Sequence, residues 1–84
     1  MVQILYFARL RERLGLEREQ LTLASGIRDV GGLLDCLRAR DERWAEALQD
    51  GAYVRVAVNC RLASVTTPIA EGDEVALFPP VTGG

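Results

Sequence analysis

The 84 residues include no histidine and no lysine; all ten basic side chains are arginines. The chain therefore lacks the commonest general base, any side-chain amine for a Schiff base, and the lysine of a GxxxxGK[ST] phosphate loop. GxSxG, HExxH and GxGxxG are absent as well. Two cysteines, Cys36 and Cys60, lie far apart with no CxxC, which argues against a metal site or a disulfide framework. No apolar run approaches the ~20 residues of a membrane span. A net charge of −2 gives no electrostatic case for nucleic acid. If the chain takes part in chemistry, partners must supply most of the catalytic groups.

What is present fits one small domain, residues 1–84. Hydrophobic residues make up 49%, and a chain of this length buries roughly 63% of its unfolded surface on folding, enough for one core. Met1-Val2-Gln3-Ile4 has no basic leader region and runs straight into a strand pattern, so a cytoplasmic protein is expected. Arg9, Arg11 and Arg13 cluster, but Glu12, Glu17 and Glu19 interleave or follow, as on a solvated helix face.

Residues 2–8 alternate, with Val2, Ile4 and Tyr6 on one face and Gln3, Leu5 and Phe7 on the other, the period of a strand. A short helical stretch, Ala8 to Leu14, ends at Gly15, a fitting C′ residue. Glu17 to Leu23 read as a second strand. Asp29 is placed to cap the main helix, in which Val30, Leu33, Leu34 and Leu37 form an apolar stripe at i, i+3, i+4 and i+7. Gly31 and Gly32 weaken its first turn by about 0.5–1 kcal/mol each relative to alanine, and a close helix–sheet approach is one reason to keep them. Cys36 falls within the helical pattern and is expected in the core; Cys60, near a turn, is expected to be partly exposed. A shorter helix runs from Asp41 to Leu48 around Trp44 and stops at Asp50-Gly51.

Tyr53 to Val58 alternate again, with Val54, Val56 and Val58 inward and Tyr53, Arg55 and Ala57 outward. Asn59-Cys60 forms a turn, and Arg61-Leu62-Ala63 returns. The Glu71-Gly72-Asp73-Glu74 turn leads to a last strand, Val75 to Phe78, which Pro79-Pro80 ends. This order specifies an α+β fold: a β-grasp (ubiquitin-like) roll, a mixed sheet with one main helix. The outer sheet face then carries Leu5, Phe7 and Phe78 beside Arg55 with no second layer over them, an exposed apolar patch.

Beyond the last strand, residues 79–84 read as an extended flexible tail. Five residues past Pro79 reach at most about 17 Å. Prolines stiffen its base, and Gly83-Gly84 leave a thin tip able to enter a channel where any Cβ would clash. The α-carboxylate of Gly84 is the group so placed. A carboxylate is a poor electrophile; an acyl adenylate has a good leaving group, and a sulfur nucleophile can displace AMP from it to leave a thiocarboxylate.

The ending Gly72-Asp73-Glu74-Val75-Ala76-Leu77-Phe78-Pro79-Pro80-Val81-Thr82-Gly83-Gly84 resembles that of the molybdopterin synthase small subunits, the MoaD-type ubiquitin-like sulfur carriers. The opening Leu5-Tyr6-Phe7-Ala8-Arg9-Leu10-Arg11-Glu12 resembles theirs too, as do Asp41-Glu42-Arg43-Trp44-Ala45 and Val58-Asn59, so the likeness spans nearly the whole chain. It implies that an E1-like adenylyltransferase uses ATP to adenylate Gly84 and that a sulfurtransferase system converts it to a thiocarboxylate. The tail (Pro80, Val81, Thr82, Gly83) then enters the active site of the synthase large subunit, usually in a heterotetramer. There sulfur passes to cyclic pyranopterin monophosphate, building the dithiolene of molybdopterin. The chain would thus be a non-catalytic donor subunit, with no metal or cofactor of its own. Phe7, Leu62 and Phe78 match family positions on the partner-binding face. Three alternatives share parts of this pattern: a carrier for thiamin thiazole synthesis, a ubiquitin-like modifier joined to target lysines, and an interaction module with an incidental Gly-Gly.

Overall fold

The computed structural model of the protein describes residues 1–48 and 54–79. Strands β1 (Val2–Tyr6), β2 (Arg18–Leu21), β3 (Arg55–Val58), β4 (Arg61–Ala63) and β5 (Glu74–Phe78) form one sheet in the order β2-β1-β5-β3-β4. β1 and β5 are parallel and every other pair is antiparallel. Helices α1 (Ala8–Leu14), α2 (Val30–Arg38) and α3 (Glu42–Ala47) complete the described elements. This is the expected mixed sheet and β-grasp, with α1 and α3 as short companions to the main helix.

The period-two alternation sets the layering. Val2, Ile4, Tyr6, Val56, Val58, Val75 and Leu77 are buried and join the α2 stripe Val30, Leu33, Leu34 and Leu37 in one core. Leu10 and Leu14 of α1 and Trp44 and Ala47 of α3 belong to the same cluster. Gly15 ends α1 in the left-handed region (φ 66°), its N–H donating to the Arg11 carbonyl at 3.0 Å. The second strand is shorter than the alternation suggests, confined to residues 18–21. Asp50-Gly51, the expected stop of α3, and Tyr53 lie outside the described residues.

One expectation is corrected. Cys36 is exposed, not in the core. At about 100° per residue it sits roughly 110° from the centre of the α2 stripe, on the flank away from the sheet. Cys60 is also exposed.

The glycines of α2 meet a loop rather than the sheet. Val30 and Gly31 donate their N–H groups to the Thr67 and Val65 carbonyls at 3.0 and 2.8 Å, and Gly32 donates to the Asp29 carboxylate at 2.8 Å. Three N–H groups that a helix start leaves without partners are thereby satisfied. A Cβ at Gly31 would lie 3.1 Å from the Val65 carbonyl oxygen. Glycine at this position lets residues 65–67 close onto the helix end.

Candidate functional site

β5 is the central strand, hydrogen-bonded on both sides, in register with β1 over Gln3–Tyr6 and with β3 over Arg55–Val58. Its last residue, Phe78, precedes Pro79, so the chain leaves the sheet from a strand paired on both sides. Pairing continues to the exit itself: the Phe7 N–H donates to the Leu77 carbonyl at 3.1 Å.

Residues opposite one another on paired strands share a face, so the register lays out the outer face as rows. At the Glu74 end the row is polar: Gln20, Gln3 and Glu74. The middle row runs Arg18, Leu5, Ala76, Ala57, Leu62 across all five strands. At the tail end, Phe78 stands between Arg55 and the strand extension that carries Phe7. Phe7 is 45% exposed and Leu62 72% exposed, while Phe78 and Leu5 are half-buried. The structure therefore brings Phe7 and Phe78 together at the tail root and puts Leu62 on the same face, two strands from β5. Pro80, Val81, Thr82, Gly83 and Gly84 lie outside the described residues.

Ala8 turns the chain from β1 into α1. Its φ of 52° is left-handed, a conformation that costs a residue with a Cβ roughly 1–2 kcal/mol. The turn comes immediately after Phe7, so β1 pairs with β5 up to the exit while the helix folds back toward the core.

A second cluster, which alternation alone does not indicate, closes the edge of the inner face. The Tyr6 hydroxyl donates to Glu19 at 2.6 Å, and Arg40 donates to both Glu19 oxygens at 2.8 Å. The Arg40 guanidinium lies 4.4 Å from the centroid of the Trp44 ring, which forms a T-shaped pair with the Tyr6 ring at 5.6 Å between centroids. Burial, reinforced by the hydrogen bond to Glu19, pushes the Tyr6 hydroxyl far above its ordinary range. Burial also pushes the Glu19 carboxyl up, but hydrogen bonds from Arg40 and Tyr6 outweigh it and hold that carboxyl below the usual range. No described buried side-chain polar atom lacks a partner. The cluster is fully satisfied, faces away from the tail root, and joins β2 to the helices. The signal in the sequence was Tyr6 itself, since an inward tyrosine needs a partner for its hydroxyl.

Among the described residues no group of three histidine, cysteine, aspartate or glutamate side chains could hold a metal ion. No described helix is long and apolar enough to cross a membrane. Among the described residues the arrangement offers a central strand paired on both sides and, at its Phe78 end, an apolar face open to solvent.

Comparison with known proteins accords with that geometry. The sequence matches the ThiS family over residues 4–84. It is 43% identical to the molybdopterin synthase sulfur carrier subunit of Escherichia coli over 84 residues, covering 100% of both chains. The chain belongs to the ThiS family, among the molybdopterin synthase sulfur carrier subunits. The small archaeal modifier protein 1 of H. volcanii superimposes with a TM-score of 0.77 at 27% identity, covering 95% of this chain and 97% of that one. A chain from the complex of subunits 1 and 2 of the molybdopterin-converting factor of Helicobacter pylori superimposes with a TM-score of 0.65 at 26% identity, covering 99% and 97%.

Proposed function

We propose that this ThiS-family chain carries sulfur on Gly84 for the synthesis of molybdopterin. The observation that carries the reading is the 43% identity over the full length of both chains to a protein of that role; the exit of the tail from the central strand supports it. An E1-like adenylyltransferase joins the Gly84 carboxylate to AMP, releasing pyrophosphate from ATP. A persulfide sulfur held by a sulfurtransferase attacks the acyl carbon and AMP leaves; a thiol then attacks the donor's sulfur in the resulting acyl disulfide, so that a disulfide forms on the donor and a terminal thiocarboxylate is released. Pro80, Val81, Thr82 and Gly83 extend this group into the large synthase subunit, a partner suggested by the likeness to the Helicobacter pylori subunit complex. There the sulfur bonds to cyclic pyranopterin monophosphate, and water attacks the acyl carbon, breaking its bond to sulfur and returning Gly84 to a carboxylate. Phe7, Leu62 and Phe78 seat the partner on the outer face. The ATP is the partner's, and the cytoplasm is the compartment this reading implies.

A second reading draws on the likeness to the archaeal modifier: the same adenylate can acylate a lysine of another protein. With no lysine in this chain, copies cannot be linked to one another through lysine side chains, so each conjugate would hold one carrier per linkage. Intact mass spectrometry of untagged protein after incubation with its E1-like partner, ATP and a sulfur source distinguishes the two. Replacement of one oxygen by sulfur at Gly84 is expected, and deletion of Gly84 should abolish it without unfolding the domain. An unchanged mass with a demonstrably active enzyme counts against the carrier reading; abundant conjugates on unrelated proteins favour the modifier.

A further inference from the structure

The outer face is not uniformly apolar. Arg18 stands at one end of its middle row, in register with Leu5, and Arg55 stands in the tail-end row, in register with Phe78. Both are exposed, and neither has a carboxylate partner among the described residues. The arginines that do have one, Arg11, Arg13, Arg38 and Arg40, all lie off this face, on the helices or just after α2. No strand position in the two rows carries an acidic residue, although the chain as a whole is acidic.

Three inter-strand steps and two residues along the strand separate the two arginines, which places their Cα atoms about 16 Å apart on a diagonal across the patch. An apolar patch alone is weakly directional. Two fixed cations on a diagonal admit only one orientation of a partner carrying matching anions, and a partner carrying cations there is repelled. Guanidinium suits this task because its planar fork grips a carboxylate through two hydrogen bonds. Orientation matters here because five residues beyond Pro79 reach at most about 17 Å, so a partner seated askew would miss the tip.

We propose that Arg18 and Arg55 key the outer face to a protein surface with an apolar centre and a carboxylate opposite each arginine, and that this surface belongs to the large synthase subunit. The inference rests on the sulfur-carrier reading for the identity of that partner. Its test is a titration of the full-length protein with its own large subunit at low and at raised ionic strength. The comparison is with Arg18→Gln/Arg55→Gln and with the double lysine variant. The unaltered protein should bind less tightly as salt rises. The glutamine pair should bind roughly tenfold more weakly at low salt, mostly through a slower on-rate, and lose most of its salt dependence. Lysine should restore the salt dependence, since it restores charge without the fork. Thermal midpoints should match throughout, because both positions are exposed. Equal affinity and equal salt dependence in the glutamine pair would overturn the inference and leave the carrier reading standing. Failure of the unaltered protein to bind the large subunit at any ionic strength would overturn both.

Discussion

At its Glu74 end, β5 is held by polar contacts. The Asn59 amide donates to Asp73 and accepts from the Glu74 N–H, both at 3.0 Å, and the Asn59 N–H donates to the Glu74 carbonyl at 2.8 Å. Asp73 also accepts from the Ala70 N–H, the Gly72 N–H donates to the Met1 carbonyl, and the Met1 amine pairs with Glu71. At its Phe78 end the same strand is flanked by Phe7 and Arg55, side chains that face solvent. Both ends carry residues through which the chain resembles sulfur carriers. At the first end those residues satisfy one another and specify the fold; at the second they face solvent, where the proposed docking of a partner would place its contacts. Resemblance in sequence therefore has two separate physical meanings on one strand.

The largest expected effect tests the second end. Phe78→Ala should weaken binding to the large subunit by about 2 kcal/mol or more, the loss typical of an aromatic anchor in an interface. Its cost to folding should stay well below the ~3–5 kcal/mol of truncating a fully buried phenylalanine, because Phe78 is half-buried and on the face opposite Val75 and Leu77. Thermal melts and binding titrations on this one variant separate the two quantities. A large fall in melting temperature with unchanged binding would make Phe78 a core residue and erase the contrast between the ends.

The Glu74 end should respond the other way. Asn59 has a φ of 50° and Cys60 of 69° in a two-residue hairpin loop between Val58 and Arg61, the signature of a type I′ turn. Asn59→Gly keeps the left-handed backbone accessible and removes only the amide contacts, so it should cost about 1–2 kcal/mol of stability and leave partner binding intact. The Asn59 hydrogen bond, then that from the Ala70 N–H, hold the Asp73 carboxyl below its ordinary range. A carboxyl lowered on folding contributes stability above its unfolded pKa and loses it as pH falls through the folded value. In Asn59→Gly that acid-sensitive share should shrink, and an NMR titration of Asp73 should move upward. An unmoved titration would mean that the clamp does not set the state of Asp73.

How much of this was legible beforehand follows from how far apart the interacting residues are. The strand faces and the α2 stripe could be read locally, because their periods depend only on backbone geometry. Asp29 and Gly15 were readable as caps, and the structure shows Asp29 accepting from Gly32; Asp41, read only as the start of the short helix, turns out to cap it by accepting from Trp44. The seating of Gly31 against Val65 was not readable, since a loop 34 positions later makes the contact. The Tyr6–Glu19–Arg40 cluster spans separations of 13 and 21 positions and leaves no periodic trace. Cys36 was misread because membership of a helical segment is not membership of its stripe. On the outer face, alternation placed Phe7 and Phe78 correctly, whereas Leu62 rested on resemblance until the Ala57 register put it there.

The smallest expected effect concerns how Phe7 is presented. Ala8 holds a left-handed φ of 52° directly after it. Glycine adopts that conformation without the Cβ penalty but gives up more freedom on folding, so Ala8→Gly should change stability by less than about 1 kcal/mol, in the stabilising direction if the penalty is the larger. Affinity for the large subunit should move the opposite way, because a glycine there lets Phe7 and the start of α1 sample other orientations, and an anchor that must be ordered on binding contributes less. Paired melts and titrations would show a domain as stable or more so that binds less well. Should both quantities fall together, Ala8 is an ordinary part of the fold, and the boundary between the self-satisfied and the partner-directed parts of the molecule lies beyond Phe7 rather than at it.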